Sequence, residues 1–313
     1  MSDAAVAPPA ARGGVDTHAH VFAPDLAFVQ PRRYTPAYAA GVERFVAHLD
    51  AHGLAGGLLT QPSFLGTDNA HVLAAVARWP ARLRAVVVVD PAIGDDALDA
   101  LGAAGAVGVR LNLVGLPLPD LRAGPWPALL ERLRRRDWHL ELHREGRDLP
   151  GLVAPALDAG VRVCVDHFGR PDPAAPLDDP GLRHLLAAGR GGRVWVKLSG
   201  AYRNGGVARG HAVAMEVTPR LLDALGPERL VWGSDWPHTQ HESIVRYDDT
   251  RAALDQWVPD ARTRRAVLED AAAALLRIAP APDRPRAGGA PESSDAGAGR
   301  RAAAAGGPHG RGG

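Results

Sequence analysis

The sequence GVDTHAHVF, at residues 14–22, is a short run of β-forming residues that ends in polar side chains. Seven further runs of the same kind follow it, and segments with helical periodicity separate them. The eight runs cover residues 14–22, 57–63, 83–90, 107–113, 139–143, 161–169, 194–200 and 230–237. The helical segments cover residues 41–52, 69–79, 95–104, 126–136, 149–159, 180–188, 218–225 and 263–278. Strands that alternate with helices in this way indicate a parallel sheet with crossover helices.

The number of these units predicts how the sheet closes. Eight strand–helix units within about 270 residues are typical of a closed (β/α)8 TIM barrel, which is an α/β fold. The competing fold is a doubly wound open sheet. The G-x-G-x-x-G turn that favours a dinucleotide-binding sheet of that kind is absent after the first run. We therefore predict a TIM barrel.

Polar residues collect at the carboxyl end of every predicted strand. They are Asp16, His18 and His20; Gln61 and Ser63; Asp90; Arg110 and Asn112; Glu141 and His143; Asp166 and His167; Lys197 and Ser199; and Ser234 and Asp235. Strands buried on both faces are expected to be apolar, so polar side chains that recur at one end need partners or a function. Because TIM barrels carry their active sites at this end, we expect the candidate site there.

The charge balance and the single cysteine limit the function classes. The chain has 313 residues, of which 36 are Lys or Arg and 35 are Asp or Glu, and its formal net charge is +1. This balance does not favour a nucleic-acid or membrane partner. No apolar run approaches the roughly 18 residues of a membrane span, and residues 1–14 lack the apolar part of a secretory signal. Cys164 is the only cysteine, which excludes an intrachain disulfide and fits a reducing, cytoplasmic location.

The two ends of the chain differ in composition from the rest. Residues 1–12 are rich in Ala and Pro, and residues 281–313 contain no Val, Ile, Leu or aromatic residue. Such segments bury too little apolar surface to offset the entropy that is lost on ordering. We predict disordered tails at 1–12 and 281–313 and one barrel domain at 13–280.

Two histidines on the first predicted strand begin the candidate chemical centre. His18 and His20 are two residues apart, so they point to the same face of the strand, which Asp16 shares. Two imidazoles that converge in this way suit a metal ion or the polarisation of one oxygen. The alternative interpretation is a pair of hydrogen-bonded core histidines.

A histidine and an aspartate on later strands complete that centre. His167 continues the alternation of the valines in residues 161–165, which predicts that its imidazole points inward. Asp235 shares the face of Val231 and Gly233 on the last strand. The alternatives are a satisfied core histidine for His167 and a helix cap for Asp235.

With their flanking residues, these motifs resemble a known family. VDTHAH (15–20), VDHFGRP (165–171) and VWGSDWPH (231–238) are similar to the amidohydrolase superfamily. The resemblance extends over nearly all of residues 13–280 through RRYTP (32–36), GTDN (66–69), GVRLNLV (108–114), DLP (148–150) and KLSGAYR (197–203). These motifs look most like the lactonase branch of the superfamily, in particular the 2-pyrone-4,6-dicarboxylate lactonase group.

The resemblance implies roles for individual residues. Asp235 would be the general base that activates water. The other matches are histidines that orient the water and polarise the scissile carbonyl, arginines that clamp an anion, and residues that bind substrate oxygens. The histidines are His18, His20 and His167. The arginines are Arg110 and Arg203, and the residues that bind substrate oxygens are Tyr34 and Ser63.

Two positions depart from the lactonase pattern, and both contact the substrate in that family. The pyrone lactonases have a second arginine shortly after the one on strand 4, whereas this sequence reads VGL at residues 114–116. His143 stands where those enzymes have a tyrosine, and it is either a substrate hydrogen-bond donor or a core residue. We therefore expect the reaction type to be kept and the substrate to carry less negative charge or to be held differently.

The same four side chains raise the question of a metal. His18, His20, His167 and Asp235 offer nitrogen and oxygen ligands that suit one Zn²⁺ or another divalent ion. A binuclear centre bridged by a strand-4 lysine is not expected, because the only lysine, Lys197, is on the seventh strand. The resemblance favours an enzyme that requires no metal, and lactones are activated esters that open without a full Lewis acid. A Schiff base on Lys197 and a serine nucleophile are both disfavoured.

These inferences lead to one predicted function and two alternatives. We predict a hydrolase of carboxylic ester bonds that opens a lactone of a small carboxylated metabolite, as in the degradation of aromatic compounds. A zinc-dependent decarboxylase or hydratase of the same superfamily is the first alternative. A barrel without enzymatic activity that serves as a binding module is the second. The expected partner is a small lactone or carboxylate, with no nucleic acid and no membrane.

Overall fold

The computed structural model describes residues 13–278 and contains one parallel sheet of eight strands in the order β1 to β8. The strands are β1 (Val15–Ala19), β2 (Gly56–Thr60), β3 (Leu83–Val87), β4 (Ala106–Asn112), β5 (His139–His143), β6 (Arg162–Val165), β7 (Val194–Leu198) and β8 (Leu230–Trp232). Each strand therefore pairs with its neighbours in sequence, as a TIM barrel requires.

Helices connect successive strands. They are α1 (Val42–Ala51), α2 (Ala70–Arg78), α3 (Asp95–Ala103), α4 (Trp126–Arg135), α5 (Pro150–Asp158), α6 (Pro180–Ala188), α7 (Val207–Leu225), α8 (Tyr247–Trp257), α9 (Ala261–Arg265) and α10 (Ala271–Leu276). Local chemistry explains several boundaries. For example, Asp179 caps α6 by accepting from the backbone N–H groups of Gly181 and Leu182, and Pro180 occupies its first turn.

The sheet closes on itself between β1 and β8. The backbone N–H of His20 donates to the carbonyl of Trp236 at 2.7 Å, and that of Asp235 donates to the carbonyl of His18 at 2.8 Å. Gly233 permits this approach, because a Cβ there would lie 2.5 Å from the Cβ of His18. The predicted (β/α)8 barrel is confirmed, and the open-sheet alternative is wrong.

The residues that point into the barrel form a separate apolar cluster. Six of them come from six different strands, and α10 closes the amino-terminal end of the barrel beneath them. The six are Val15, Leu58, Val86, Cys164, Trp195 and Val231. Val163 and Val165 instead belong to the larger core between strands and helices. The inward-facing positions of β6 are therefore Cys164 and its even-numbered neighbours, and the prediction that the β6 valines point inward is wrong.

The structure also shortens six of the eight predicted strands, changes two of the predicted helices and adds one helix that was not predicted. β6 ends at Val165 and β8 at Trp232, so the polar residues that follow them lie in turns. α7 begins well before the predicted residue 218, and α8 was not predicted at all. The predicted helix at 263–278 is divided into α9, a π-helical turn (Ala266–Asp270) and α10.

Some predictions fall outside what the structure tests. The predicted tails at 1–12 and 281–313 lie outside the described residues. Within residues 13–278, no helix is both long and apolar enough to cross a membrane. The cytoplasmic location stays a prediction.

Candidate active site

A cavity opens at the carboxyl end of the barrel and brings most of the predicted site residues together. Eight of them line it: His20, Tyr34, Ser63, Arg110, His143, His167, Arg203 and Asp235. The ninth, His18, is fully buried beneath the cavity, with its Nε2 atom 3.8 Å from Oδ1 of Asp235. Residues that are far apart in the sequence, from 18 to 235, therefore lie together in or directly beneath this cavity.

Asp235 lies at the centre of this arrangement, in the turn after β8, where its φ is +60°. The Tyr202 hydroxyl and Nε of Arg203 both donate to its Oδ2 at 2.6 Å. Its Oδ1 has no hydrogen-bond partner among residues 13–278 and faces Nε2 of His20 at 3.7 Å. The side chain does not cap a helix, since α8 begins only at Tyr247. Oδ1 is the carboxylate oxygen that remains available for chemistry.

The two histidines of the first strand are held by different hydrogen-bond partners. His20 places Nδ1 2.7 Å from the carbonyl of Thr60. A carbonyl only accepts, so this nitrogen carries the proton and Nε2 keeps its lone pair. His18 is anchored by Lys197, whose Nζ lies 2.9 Å from its Nδ1.

Asp16 does not join these histidines in the cavity. Its carboxylate accepts from the backbone N–H of Ser234 at 2.9 Å, from that of His18 at 3.1 Å and from the hydroxyl of Tyr247 at 2.9 Å. The prediction that it shares the inner face with His18 and His20 is wrong, because the β1 ladder shifts register between Asp16 and Ala19. Asp16 ties β1 to β8 and α8 instead.

His167 enters the cavity by a turn rather than by strand alternation. It follows β6 with a φ of +55°, and the next residue, Phe168, has a φ of +60°. Its Nδ1 lies 2.9 Å from Oγ of Ser199. Gly200 leaves room for this ring, because a Cβ there would lie 2.6 Å from Nδ1 of His167 and 2.8 Å from Oδ2 of Asp235.

Burial keeps the site imidazoles neutral. Burial, reinforced by Arg110, lowers the pKa of His20 to about 3. Burial also lowers the pKa of His167 to about 4, although Asp235 opposes this effect. For Asp235 burial alone would raise the pKa, but Arg203, His167 and His18 outweigh burial and hold it well below its usual range. At neutral pH the site therefore presents an ionised carboxylate among uncharged imidazoles.

A layer of buried charges supports the site from below. Lys197 contacts Oε2 of Glu141 and lies 3.4 Å from Oδ1 of Asp166. Arg110 donates from Nη2 to Oδ2 of Asp166 at 2.9 Å, and its Nε lies 3.2 Å from Oε1 of Glu141. The sequence marks Glu141 and Asp166 only as polar strand ends. Their role as counter-ions to two buried cations depends on tertiary proximity.

The two arginines that the resemblance assigns to anion binding are already paired inside the protein. Arg110 pairs with Asp166 and Glu141, and Arg203 pairs with Asp235. Both still line the cavity. Their charges are largely balanced, so any excess positive charge at the cavity must come from elsewhere.

Arg33 and Arg170 are the cationic residues that the sequence reasoning missed. Arg33 lines the cavity mouth and donates from Nη2 to Oδ1 of Asn112 at 3.0 Å. Within the described part of the chain it makes no ion pair with a carboxylate. Arg170 lies with Nη1 3.4 Å from Nε2 of His143, whose Nδ1 is 3.3 Å from Nη2 of Arg110. Both residues lie in quoted motifs, Arg33 in RRYTP and Arg170 in VDHFGRP, and these motifs are the signal that could have identified them.

One further contact shapes the mouth of the cavity, and another lies behind it. The Tyr34 hydroxyl donates to Oε1 of Glu242 at 2.6 Å, which joins the loop after β1 to the loop after β8. Tyr202 was also missed as a site residue, although it directly precedes Arg203 in the KLSGAYR motif. Its hydroxyl holds Oδ2 of Asp235 in place.

The donor set has the spacing of a metal site, but one ligand is in the wrong form. Ligand atoms of His18, His167 and Asp235 all lie within 4.8 Å of one another. However, the ammonium group of Lys197 already occupies Nδ1 of His18. That contact leaves the proton of the neutral ring on Nε2, the nitrogen nearest to Asp235, and a protonated nitrogen is not a metal ligand. In this arrangement His18 does not fit as a ligand of a metal ion.

The comparisons with known proteins agree on one family. The family model described as amidohydrolase matches residues 15–278. A 4-sulfomuconolactone hydrolase from Hydrogenophaga intermedia is 31% identical over 271 residues, which cover 82% of this chain and 86% of that protein. A 2-pyrone-4,6-dicarboxylate hydrolase from Comamonas testosteroni is 30% identical, over 72% of this chain and 77% of that protein.

A solved structure gives the same result. The probable 2-pyrone-4,6-dicarboxylic acid hydrolase from Acinetobacter baumannii, with citric acid bound, is 37% identical and superposes with a TM-score of 0.82. The match covers 85% of this chain and 100% of that chain.

Proposed function

This chain belongs to the amidohydrolase family, and from this premise we propose that it is a hydrolase that opens the lactone ring of a small carboxylated molecule. The observation that carries the proposal is the free Oδ1 of Asp235 opposite Nε2 of His20 and Nε2 of His18. An ionised carboxylate with one oxygen anchored and the other facing two imidazoles is arranged to activate water.

The reaction begins with proton transfer to Asp235. A water molecule attacks the lactone carbonyl carbon while Oδ1 takes its proton, and Tyr202 and Arg203 hold Oδ2 in place. The tetrahedral intermediate then breaks the ring C–O bond. Asp235 returns the proton to the leaving oxygen, which becomes a hydroxyl or enol group. The other end of the open chain is a carboxylic acid, which releases its remaining proton to solvent and becomes a carboxylate.

The oxyanion of the intermediate needs donors that do not depend on a charged imidazole. His18, His20 and His167 are neutral at pH 7, so they act as hydrogen-bonding dipoles. Preorganised dipoles in a dry site are often the largest contribution to catalysis. We assign His18 and His167 to the scissile carbonyl and His20 to the water, because His20 presents a lone pair.

The cations at the cavity mouth indicate an anionic substrate. Two relatives of this chain act on 4-sulfomuconolactone and on 2-pyrone-4,6-dicarboxylate, as their names state. In this chain we assign the charge of the anionic group to Arg33 and a further hydrogen bond to that group to Arg203, with Tyr34, Ser63 and His143 on the substrate oxygens. We do not extend the proposal to 2-pyrone-4,6-dicarboxylate itself, because residues 114–116 lack the second arginine and His143 replaces a tyrosine.

The reaction as proposed requires no metal. A lactone is an activated ester, and the neutral imidazoles and Arg110 supply the polarisation. The competing proposal is a zinc-dependent decarboxylase or hydratase, which the spacing of His18, His167 and Asp235 favours.

The test is a pH-monitored screen of lactones with and without a chelator, together with the Asp235→Asn variant. We expect turnover that survives chelation and falls by about 10²–10⁴-fold in the variant, the range typical of a positioned general base. Loss of activity on chelation, or CO₂ release from a carboxylated substrate, would favour the zinc enzyme. Full activity of Asp235→Asn would refute the proposed mechanism.

A further inference from the structure

Lys197 is the only lysine in the sequence, and it is fully buried under the cavity. Its Nζ lies 2.9 Å from Nδ1 of His18, contacts Oε2 of Glu141 and is 3.4 Å from Oδ1 of Asp166. Two carboxylates next to one amine keep that amine protonated in a medium of low dielectric constant. The group beside His18 is therefore an ammonium ion.

An ammonium group determines which nitrogen of the imidazole carries the proton. It has three N–H donors and no lone pair, so a nitrogen at hydrogen-bond distance from it must accept. Nδ1 of His18 accepts, and the single proton of the neutral ring is on Nε2. That N–H has no partner among residues 13–278, and it points toward Oδ1 of Asp235, 3.8 Å away.

The neighbouring histidine has the opposite tautomer. His20 gives its Nδ1 proton to the carbonyl of Thr60, so its Nε2 faces Asp235 as an acceptor. The two rings of the H-x-H motif therefore present one donor and one acceptor to the same small space. A donor suits the developing oxyanion, and an acceptor suits a hydrogen of the attacking water.

We propose that Lys197 is a positioning residue that fixes His18 as the Nε2–H tautomer, which makes His18 an oxyanion donor and prevents it from binding a divalent metal. The oxyanion part rests on the proposed function, and the metal part does not. Replacing the ammonium group with an apolar side chain moves the proton of His18 from Nε2 to Nδ1. Oδ1 of Asp166, 3.3 Å from Nδ1 of His18, then accepts the Nδ1 proton and leaves Nε2 free to bind a metal. A carboxylate behind a ligating histidine is the usual support of such a site.

The first experiment reads the tautomer directly. In ¹⁵N NMR spectra of histidine-labelled protein, with the His18 signals assigned from a His18→Gln variant, we expect Nε2 of His18 to be protonated and Nδ1 to be bare. His20 serves as an internal reference with the opposite pattern. A spectrum in which Nδ1 of His18 is protonated would overturn the proposal. This measurement uses the unmodified chain, so it decides the question even if the variants below do not fold.

The second experiment measures zinc affinity. Lys197→Met removes the ammonium group, and Lys197→Met with Glu141→Gln does so without leaving an extra buried negative charge. We expect the double variant to bind one Zn²⁺ per chain about 10- to 100-fold more tightly than the unmodified protein, a factor that second-shell carboxylates typically contribute. Adding His18→Gln should abolish the gain.

Unchanged zinc affinity in folded Lys197→Met variants would contradict the proposal. Neither readout involves lactone turnover. If no lactone proves to be a substrate, the proposed function fails while these two measurements still decide the role of Lys197.

Discussion

Arg33 provides positive charge at the cavity mouth that no carboxylate of the described residues neutralises. Arg110 and Arg203, which the resemblance assigns to anion binding, are held by Asp166 and Asp235. The sequence could supply the identity of those two arginines, but it could not supply their counter-ions, which come from other strands. The charge available to a substrate therefore depends on an exposed residue in the loop after β1.

We predict that Arg33→Met raises KM for an anionic lactone about tenfold, which corresponds to about 1.4 kcal/mol. The expected effect is at the lower end for charge-assisted hydrogen bonds because Arg33 is exposed to solvent. Steady-state kinetics with an anionic lactone and an uncharged lactone measures it, and KM for the uncharged lactone should stay the same.

Arg134→Met is the matched control for Arg33. Arg134 is an exposed arginine in the last turn of α4, where it pairs with Glu131. Its replacement should leave KM unchanged for both lactones. An Arg33 variant that behaves like the Arg134 variant would show that the anion is bound elsewhere.

Tyr202 and Tyr247 form a natural pair for testing how Asp235 is held. Each donates its hydroxyl proton to a buried aspartate, Tyr202 to Asp235 at 2.6 Å and Tyr247 to Asp16 at 2.9 Å. We predict that Tyr202→Phe lowers kcat about tenfold or more with little change in KM, because Asp235, the proposed base, loses one of its two anchors. A buried hydrogen bond to a charged group contributes about 1.5–3 kcal/mol.

Tyr247→Phe should show the opposite division between stability and rate. It should lower the free energy of unfolding by a similar amount and leave kcat unchanged, since Asp16 lies outside the cavity. Urea unfolding and kinetics on both variants make the comparison. If both variants lose kcat equally, the Tyr202 effect is general destabilisation rather than control of the position of Asp235.

At the level of elements, the alternation of strands and helices was readable from the sequence and the side-chain direction after each strand was not. All eight strands were predicted, because their apolar runs are short and flanked by helical periodicity. His167 reaches the cavity as predicted, but through a turn with a φ of +55° after the end of β6, because strand alternation alone would have placed it with the outward-facing valines. α8 was not predicted because its only buried positions are Tyr247, Leu254 and Trp257, which are too few to form a recognisable amphipathic pattern.

α7 holds the turn that carries Tyr202 and Arg203, and Gly210 is the point of closest approach. A Cβ on Gly210 would lie 2.0 Å from the carbonyl oxygen of Ala201, which is backbone and has little room to move. We predict that Gly210→Ala lowers the free energy of unfolding by about 1–3 kcal/mol, as for other overpacked sites, and also lowers kcat. Urea unfolding and lactone kinetics measure the two effects.

Gly151→Ala in α5 is the control for Gly210, because a Cβ there meets nothing within 4 Å. Removing a glycine from an exposed helical position should be neutral or stabilise by up to about 1 kcal/mol. A neutral Gly210→Ala variant with normal kcat would mean that α7 does not determine the position of Tyr202 and Arg203.

At the level of the whole molecule, the barrel interior concentrates ionisable groups that the folded state keeps in unusual protonation states. Burial keeps six imidazoles neutral. It lowers the pKa of His20 to about 3 and the pKa values of His167 and His238 to about 4, and it lowers the pKa values of three more histidines well below the usual range. The other three are His18, His139 and His143. Two carboxyls shift the other way, since burial raises the pKa of Asp16 to about 6 and that of Glu141 to about 7.

These shifts act on stability with opposite signs. As pH falls below about 6.5, the six imidazoles take up protons in the unfolded chain but not in the folded protein, which favours unfolding. Protonated Glu141 and Asp16 favour the folded protein in the same range, because their pKa values are higher there. Because the six imidazoles outnumber the two carboxyls, the unfolded state binds more protons than the folded protein between pH 6 and 5, and the free energy of unfolding falls as pH decreases.

We predict that the free energy of unfolding is highest above pH 7 and falls steeply as pH decreases from about 6.5 to 5, so that the protein unfolds in mild acid. Urea titrations at half-unit pH steps measure the slope.

His139→Met is the decisive variant, because neither ring nitrogen of His139 has a hydrogen-bond partner among the described residues and the ring lies below the cavity. Its removal should reduce the slope by about 1.4 kcal/mol per pH unit. A free energy of unfolding that stays constant from pH 8 to 5 would mean that the interior imidazoles are solvated or charged in the folded state, and the neutral site on which the proposed chemistry depends would then be wrong.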